Sequence, residues 1–302
     1  MNDPALKERA RDRFEREGWR LRLPETRPLL SDERLLEYRH PAEHRMLALA
    51  LGLLVILLAA AVWFQERDLL IALGTIYLSM LVLSLQSATL NTLEGAEVTA
   101  TQFADIYQMV EQLRQRFHAP PTRVFVLRKL SSVSEPLGIR APYVIVLPHA
   151  LIDALEPEEL AYEIGKALGH ICFGHTRTAL LLGGEGSQLP TPLAWVAWIR
   201  DLIFAGYWRA RMLTGDRAGV LACGGIENAL RARVKLSVGT NQSREVKVDD
   251  LIDQAFKLTQ GTSRVQAALI RWQSSTPPFI YRLEAMVEWA GLPSAENERT
   301  RR

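Results

Sequence analysis

The chain has 302 residues, of which 48% are hydrophobic and 23% are charged, so it contains enough apolar sequence to build a core. Its formal net charge of +2 is too balanced to indicate nucleic acid as a partner. The two cysteines, Cys172 and Cys223, exclude a disulfide framework and suit a reducing compartment. The N-terminus is densely charged with no apolar run directly behind it, and we therefore expect no cleavable signal peptide.

Charge and hydropathy divide the first 90 residues into an arm and two apolar segments. Residues 1–45 carry charges of both signs and are predicted to be a solvated arm, or alternatively an arm that docks on a neighbouring protein. Residues 46–64 and 69–90 contain no charge, and each is close to the ~20 residues that a helix needs to cross ~30 Å of hydrocarbon. Because only residues 65–68 link them, residues 46–90 are predicted to form a transmembrane helical hairpin, with a buried soluble hairpin as the alternative.

Basic residues around the first apolar segment predict its orientation. Arg34, Arg39 and Arg45 lie near its start, whereas the link after it carries one arginine and two acids. The positive-inside rule then places the N-terminus in the cytoplasm, and a hairpin returns the chain to that side. We therefore expect an inner (cytoplasmic) membrane protein with two spans and both termini cytoplasmic, which has the lipid bilayer as one partner.

Residues 91–290 are predicted to form one mixed, mainly helical domain. Helical periodicity over residues 103–117 is followed by strand patterns at 120–130 and in YVIVL, residues 143–147. One long helix is predicted over residues 156–182, with proline and acidic residues in its first turn. The fold class is therefore predicted to be α+β, mainly helical, with a small β-sheet.

A further apolar stretch, residues 189–211, carries several large aromatic residues, namely Trp195, Trp198, Tyr207 and Trp208. Arg200 and Asp201 interrupt it, so it is not predicted to span a membrane. A core helix is favoured over a helix that also rests on the membrane surface. Residues 291–302 are predicted to form a flexible tail.

Two separated motifs indicate a family. The pattern E-L-x-x-x-x-x-H-E-x-G-H-I is matched at both of its ends, by Glu159, Leu160, Gly169, His170 and Ile171. The pattern E-x-x-A-D-R-A-G-L is matched downstream in MLTGDRAGV, by Asp216, Arg217, Ala218 and Gly219. On these residues, the chain over about residues 90–290 resembles the membrane zinc endopeptidases typified by HtpX and the CaaX prenyl protease. The resemblance implies a zincin-like metallopeptidase domain behind the transmembrane hairpin.

The resemblance also implies which positions would carry zinc chemistry. In that family two histidines four residues apart and a glutamate from a second helix bind Zn²⁺, and the glutamate after the first histidine is the general base. Here the first histidine is replaced by Lys166, the base by Ala167, and the glutamate ligand, four residues before Asp216, by Met212. Only His170 remains. We therefore predict no catalytic residue, no metal site and no cofactor, since a catalytic zinc needs three protein ligands.

Two further segments depart from the family pattern. The Asn-Ala-Phe that precedes the edge strand of the substrate cleft is replaced by residues 133–135, which read Val-Ser-Glu. A His-Pro near the C-terminus is replaced by Pro277 and Pro278, ahead of Arg282. Both departures agree with the loss of the zinc site.

The sequence also allows predictions for the polar residues at and near these positions. We predict that Lys166 pairs with a nearby acid such as Asp216 and so replaces the charge of the metal, or alternatively that it faces solvent. His170 is predicted to be a buried or half-buried residue that is satisfied by a hydrogen bond. His175 does not share the helical face of His170 well and is predicted to be a polar residue near the helix end.

These observations favour a membrane-anchored pseudo-peptidase, a non-catalytic structural or interaction subunit whose partner is another membrane protein or complex. The alternative is an active zinc-dependent membrane endopeptidase with a remodelled metal site, which would use zinc as its cofactor. A third interpretation is a peptide-binding adaptor in which YVIVL, residues 143–147, offers an edge for strand addition.

Overall fold

The computed structural model describes residues 37–129, 133–183, 194–246, 250–251, 254 and 276–290. Most of the predicted arm, residues 1–36, and the predicted tail, residues 291–302, lie outside the described residues. The described part is mainly helical with one small mixed sheet, which confirms the predicted mixture of elements.

The two apolar segments near the N-terminus each form a helix. Helix α1 spans Glu43–Trp63, and helix α2 spans Arg67–Glu94 after a short turn. Among the described helices, α1 alone is long and apolar enough to cross a membrane by length and composition, and 6% of its apolar window is buried. Helix α2 contains a shorter apolar stretch, Leu70–Leu83. The structure therefore supports one possible span, and the second span stays a prediction.

The sheet has four strands, which are β1 (Ala96–Glu97), β2 (Thr122–Leu127), β3 (Glu135–Leu137) and β4 (Tyr143–Pro148). Their order is β1-β2-β4-β3, with β2 and β4 parallel and the two outer pairs antiparallel. Strand β4 is almost completely buried, which is typical of an interior strand. Because it has a paired neighbour on each side, the expectation that residues 143–147 offer a free edge is wrong. The outer strand on that side is β3.

The next four helices along the chain are α3 (Ala104–Arg116), α4 (His149–Ala154), α5 (Pro157–Cys172) and α6 (His175–Leu181). Helix α5 begins as predicted, with Pro157 at its first position and a capping box between Glu156 and Glu159. The prediction of one helix over residues 156–182 is wrong. The chain turns at Gly174, whose φ of +74° favours glycine, and a separate helix then begins.

The C-terminal part of the chain contributes α7 (Ala194–Ala222), α8 (Ile226–Val238), a short 3₁₀ turn (Gln242–Arg244) and α9 (Phe279–Trp289). Helix α7 is continuous from the aromatic stretch into the segment MLTGDRAGV. The expectation of a core helix holds from Phe204 onwards, where Trp208 is fully buried. It is wrong for the first turns, where Trp195 and Trp198 are 56% and 60% exposed.

Helices α5 and α7 cross at very short range because small residues line both. A Cβ built on Gly165 would lie 2.0 Å from the Cβ of Ala222, and one on Gly169 would lie 2.3 Å from the Cβ of Ala218. Neither distance leaves room for a further carbon atom, so the glycines set the helix separation. Helix α5 is buried from Glu159 to Ile171, and this crossing is therefore the centre of the domain core.

We expect Gly165→Ala to lower the free energy of unfolding by about 1–3 kcal/mol, because the added methyl group overlaps Ala222 in a closely packed core. The measurement is thermal unfolding of the detergent-solubilised protein. The double variant Gly165→Ala/Ala222→Gly moves the methyl group to the other helix and should recover most of the loss. Gly52→Ala is the control, since Gly52 is helical with open space around it. Equal losses in Gly165→Ala and Gly52→Ala would contradict the close crossing.

Candidate functional site

His170, the one position at which the chain keeps a histidine where the resemblance puts a zinc ligand, lies buried on α5. Its Nδ1 is 2.8 Å from the Nδ1 of His175. The prediction of a buried histidine satisfied by a hydrogen bond is therefore confirmed. On its other side the ring packs against α7, where a Cβ built on Gly215 would lie 2.4 Å from the Nε2 of His170. The ring is thus held between a hydrogen bond and a helix backbone.

His175 is not a polar residue at the end of the same helix, so that prediction is wrong. The turn at Gly174 starts a new helix at His175 and directs its buried ring back towards His170. The Nε2 of His175 is 2.9 Å from the Oε1 of Glu43. The other carboxylate oxygen of Glu43 accepts a 2.6 Å hydrogen bond from the hydroxyl of Thr214. Sequence reasoning missed Glu43, because it lies 132 residues from its histidine partner.

The protonation states of His170 and His175 follow from their burial. Burial lowers the pKa of His170 well below its ordinary value and, against the attraction of Glu43, lowers the pKa of His175 to about 4. Both rings are therefore neutral at pH 7. The carboxylate of Glu43 only accepts, so the Nε2–H of His175 donates to it and the Nδ1 of His175 accepts from His170. The free lone pair of His170 is on Nε2, which packs against Gly215.

Lys166 is 2% exposed, and its Nζ lies 2.5 Å from the Oε2 of Glu163, one turn earlier on α5. The expectation that Lys166 pairs with a nearby acid is confirmed, but the acid is Glu163 on the same helix and not Asp216, and the alternative that Lys166 faces solvent is wrong. The physical reason is proximity, because residues three apart share a helical face. Burial raises the pKa of Glu163, but the charges of Lys166 and Arg233 outweigh it and hold the pKa below its ordinary value.

Glu163 also binds the segment before the outer strand β3. The hydroxyl of Ser134 lies 3.1 Å from the Oε2 of Glu163 and 3.0 Å from its backbone carbonyl oxygen. Ser134 is the middle residue of the segment 133–135 that the resemblance places at the edge of the substrate cleft. Its buried side chain therefore ties that segment to α5.

Asp216 pairs with Arg282 on α9 through two hydrogen bonds, of 2.8 Å from Nε and 2.5 Å from Nη2. The hydroxyl of Tyr162 donates a third hydrogen bond of 2.7 Å to Asp216. All three side chains are buried, so the group joins α5, α7 and α9 in the core. Burial raises the pKa of Asp216, but Arg282 outweighs it and the pKa lies below its ordinary value.

We call these buried charged groups the ion cluster, and its members are Glu163, Lys166, Asp216, Arg233 and Arg282. It holds two acids and three cations, so the interior beside α5 carries an excess of positive charge that opposes a divalent metal. Ala167, where the resemblance puts the catalytic base, is fully buried in the core, and Met212, where it puts the glutamate ligand, is half-buried. In the part of the chain that the structure describes, no three His, Cys, Asp or Glu side chains are placed to hold a metal ion.

A cavity of about 330 Å³ lies between α7, α9 and the residues just before α1, and Asp216 forms part of its wall. Its polar lining is formed by His40, Asp216, Arg217 and Glu288. The guanidinium of Arg217 donates to the carbonyl oxygens of Tyr38 and Arg39, at 3.3 and 3.0 Å. The end of the predicted arm is therefore docked on the domain.

Comparison of the chain with protein-family models, with curated proteins and with solved structures finds no match. The function must therefore be argued from the geometry of the site. At this site, buried polar side chains form hydrogen bonds and ion pairs with one another, several of them between neighbouring helices.

We expect Lys166→Met to lower the free energy of unfolding by about 3–5 kcal/mol, because it leaves the buried carboxylate of Glu163 without its nearest cation. Thermal and denaturant unfolding in detergent measure the loss. The double variant Lys166→Met/Glu163→Gln removes both charges and should recover most of it. The control is Arg231→Met, which breaks the exposed pair with Glu227 and should cost no more than about 1 kcal/mol. A Lys166→Met protein as stable as the wild type would exclude a structural role for the pair.

We expect stability to fall as the pH drops from about 6.5 towards 4. The unfolded chain binds a proton at His175 near pH 6.5, whereas the folded chain does so near pH 4, so protons favour unfolding in that window by up to about 3 kcal/mol. Thermal unfolding in detergent between pH 8 and pH 4 measures the effect. His175→Gln should make this dependence shallower, and His118→Gln, at an exposed position, should leave it unchanged. Identical profiles for wild type and His175→Gln would contradict this account.

Proposed function

We propose that this protein is a membrane-anchored pseudo-peptidase, a non-catalytic structural or interaction subunit of a membrane protein complex. One observation carries the proposal. The position at which the resemblance to the HtpX-type zinc endopeptidases puts the first metal ligand holds the buried ammonium of Lys166, paired with Glu163 at 2.5 Å. A cation fixed in the core occupies the place where the family's chemistry needs a neutral imidazole.

The neighbouring positions support the same conclusion. Ala167 has no proton acceptor, and the loss of a general base by itself costs roughly 10²–10⁴ in rate. The only surviving ligand, His170, uses one ring nitrogen for His175 and packs the other against Gly215. We therefore place no hydrolytic step at this site and assign its polar groups to holding α5, α7 and α9 together.

Membrane anchoring is the second part of the proposal. Helix α1 exposes large apolar side chains along its length, including Leu49, Val55, Ile56 and Val62. Helix α2 does the same with Ile71, Leu78 and Leu90. Continuous apolar surface on this scale is typical of lipid contact. We propose that both helices cross an inner membrane with both termini in the cytoplasm, and that a second membrane protein is the partner of the domain.

Bound zinc is the measurement that tests the non-catalytic proposal. We expect close to no zinc per chain by elemental mass spectrometry, both in protein purified without added metal and after incubation with zinc followed by desalting. The physical reason is the excess of positive charge around Lys166. About one zinc per chain that is lost in His170→Ala would overturn the proposal in favour of the active endopeptidase. His118→Ala is the matched control, because loss of zinc there would indicate adventitious surface binding.

A further inference from the structure

The start of α7 presents an exposed aromatic face. Trp195 and Trp198 are 56% and 60% exposed, and Ile199 beside them is 40% exposed. Trp198 and Ile199 follow Trp195 by three and four residues, so all three lie on one side of the helix. Tryptophan is usually well buried in folded domains, so two exposed copies on one face indicate an interaction surface.

The opposite side of the same helical segment is attached to the two apolar helices. Val196 and Ala197 pack against Ile76 and Met80 of α2. Ile76 is nine residues into α2, or ~14 Å along a helix of ~42 Å at 1.5 Å per residue. The start of α7 therefore lies beside the middle of an apolar helix and not beside its end.

The end of α6 also lies beside the middle of α2. The hydroxyl of Tyr77 on α2 donates a 2.5 Å hydrogen bond to the carbonyl oxygen of Leu181, whose side chain is 62% exposed. A Cβ built on Gly183 would lie 3.3 Å from the Cε of Met80. Leu181 thus adds an outward-facing apolar side chain close to the face of α7 that carries the tryptophans.

The two charges that interrupt this segment are neutralised within the structure. Arg200 and Asp201 form an ion pair at 2.7 Å, and their side chains are 11% and 27% exposed. The Nη1 of Arg200 also donates a 3.0 Å hydrogen bond to the carbonyl oxygen of Gly183. Paired and hydrogen-bonded charges are far less costly in an apolar surrounding than isolated ones. These two charges therefore do not oppose contact with the membrane, which the sequence left open as the alternative to a core helix.

We propose that Leu181, Trp195, Trp198 and Ile199 form a third lipid-contacting surface, which faces the same bilayer as α1. Its occupant is lipid, because the surface is continuous with the apolar helices and carries no unpaired charge. The indole rings present large apolar faces, which suits contact with acyl chains beside the middle of α2. This inference rests on the membrane anchoring proposed above and is independent of the non-catalytic role.

Site-directed spin labelling of the full chain in phospholipid vesicles tests the surface. Alanine replaces the native cysteines, Cys172 and Cys223, and single labels are placed through Trp195→Cys and Trp198→Cys. Val55→Cys on α1 is the lipid reference, and Tyr107→Cys on α3 is the water reference, since both positions are exposed. Power saturation compares collisions with oxygen, which concentrates in lipid, and with a water-soluble nickel chelate.

We expect the labels at Trp195 and Trp198 to collide more with oxygen than with nickel, as at Val55 and opposite to Tyr107. Water-like labels at both tryptophan positions with a lipid-like label at Val55 would overturn this inference and leave membrane anchoring intact. A water-like label at Val55 as well would overturn the anchoring itself. Few collisions with either reagent at the tryptophan positions would show that protein, such as a second copy of the chain, covers the surface, and would also overturn the proposal.

Discussion

The short-range crossing of α5 and α7 is the constraint on which the rest of the structure depends. Because glycine and alanine meet there, no side chain separates the two helices, and the polar groups beside the crossing have no solvent to bind. Each binds a group on a neighbouring element or on the next turn of its own helix. His170 therefore turns to α6, Asp216 turns to α9, and Glu163 turns to Lys166 and to the segment before β3.

The same constraint agrees with the structural role that we propose for the site. A metal ion between the helices would need ligands with free lone pairs and space around them. Here both oxygens of Asp216 accept hydrogen bonds from Arg282 and Tyr162, and the Oε2 of Glu163 accepts one from Lys166. In the proposed pseudo-peptidase, ion pairs stand where the resemblance puts a metal, and the Asp216–Arg282 pair joins α7 to α9. This relation to the zinc endopeptidases is part of our proposal and depends on the resemblance.

Local patterns predicted much of the fold and little of the site. The apolar segments, strand β4 and the start of α5 were predictable because proline, acidic residues and hydrophobic runs act on their own neighbourhoods. The break at Gly174 was missed because one glycine is also tolerated inside a helix. The partner of Lys166 was predicted across the helices, although a carboxylate one turn away is closer. Glu43 gave no signal, since only the folded chain brings it to His175.

Glu43 is also the first residue of α1, and this position has a mechanical consequence. Its two hydrogen bonds, to His175 and to Thr214, fix the rotation of α1 about its own axis relative to α6 and α7. A domain joined to a helix by a flexible linker rotates freely relative to it, whereas these hydrogen bonds fix the orientation of the domain relative to α1. In the membrane-anchored arrangement that we propose, any tilt or twist of α1 in the bilayer would therefore be transmitted to the helix pair at the centre of the domain.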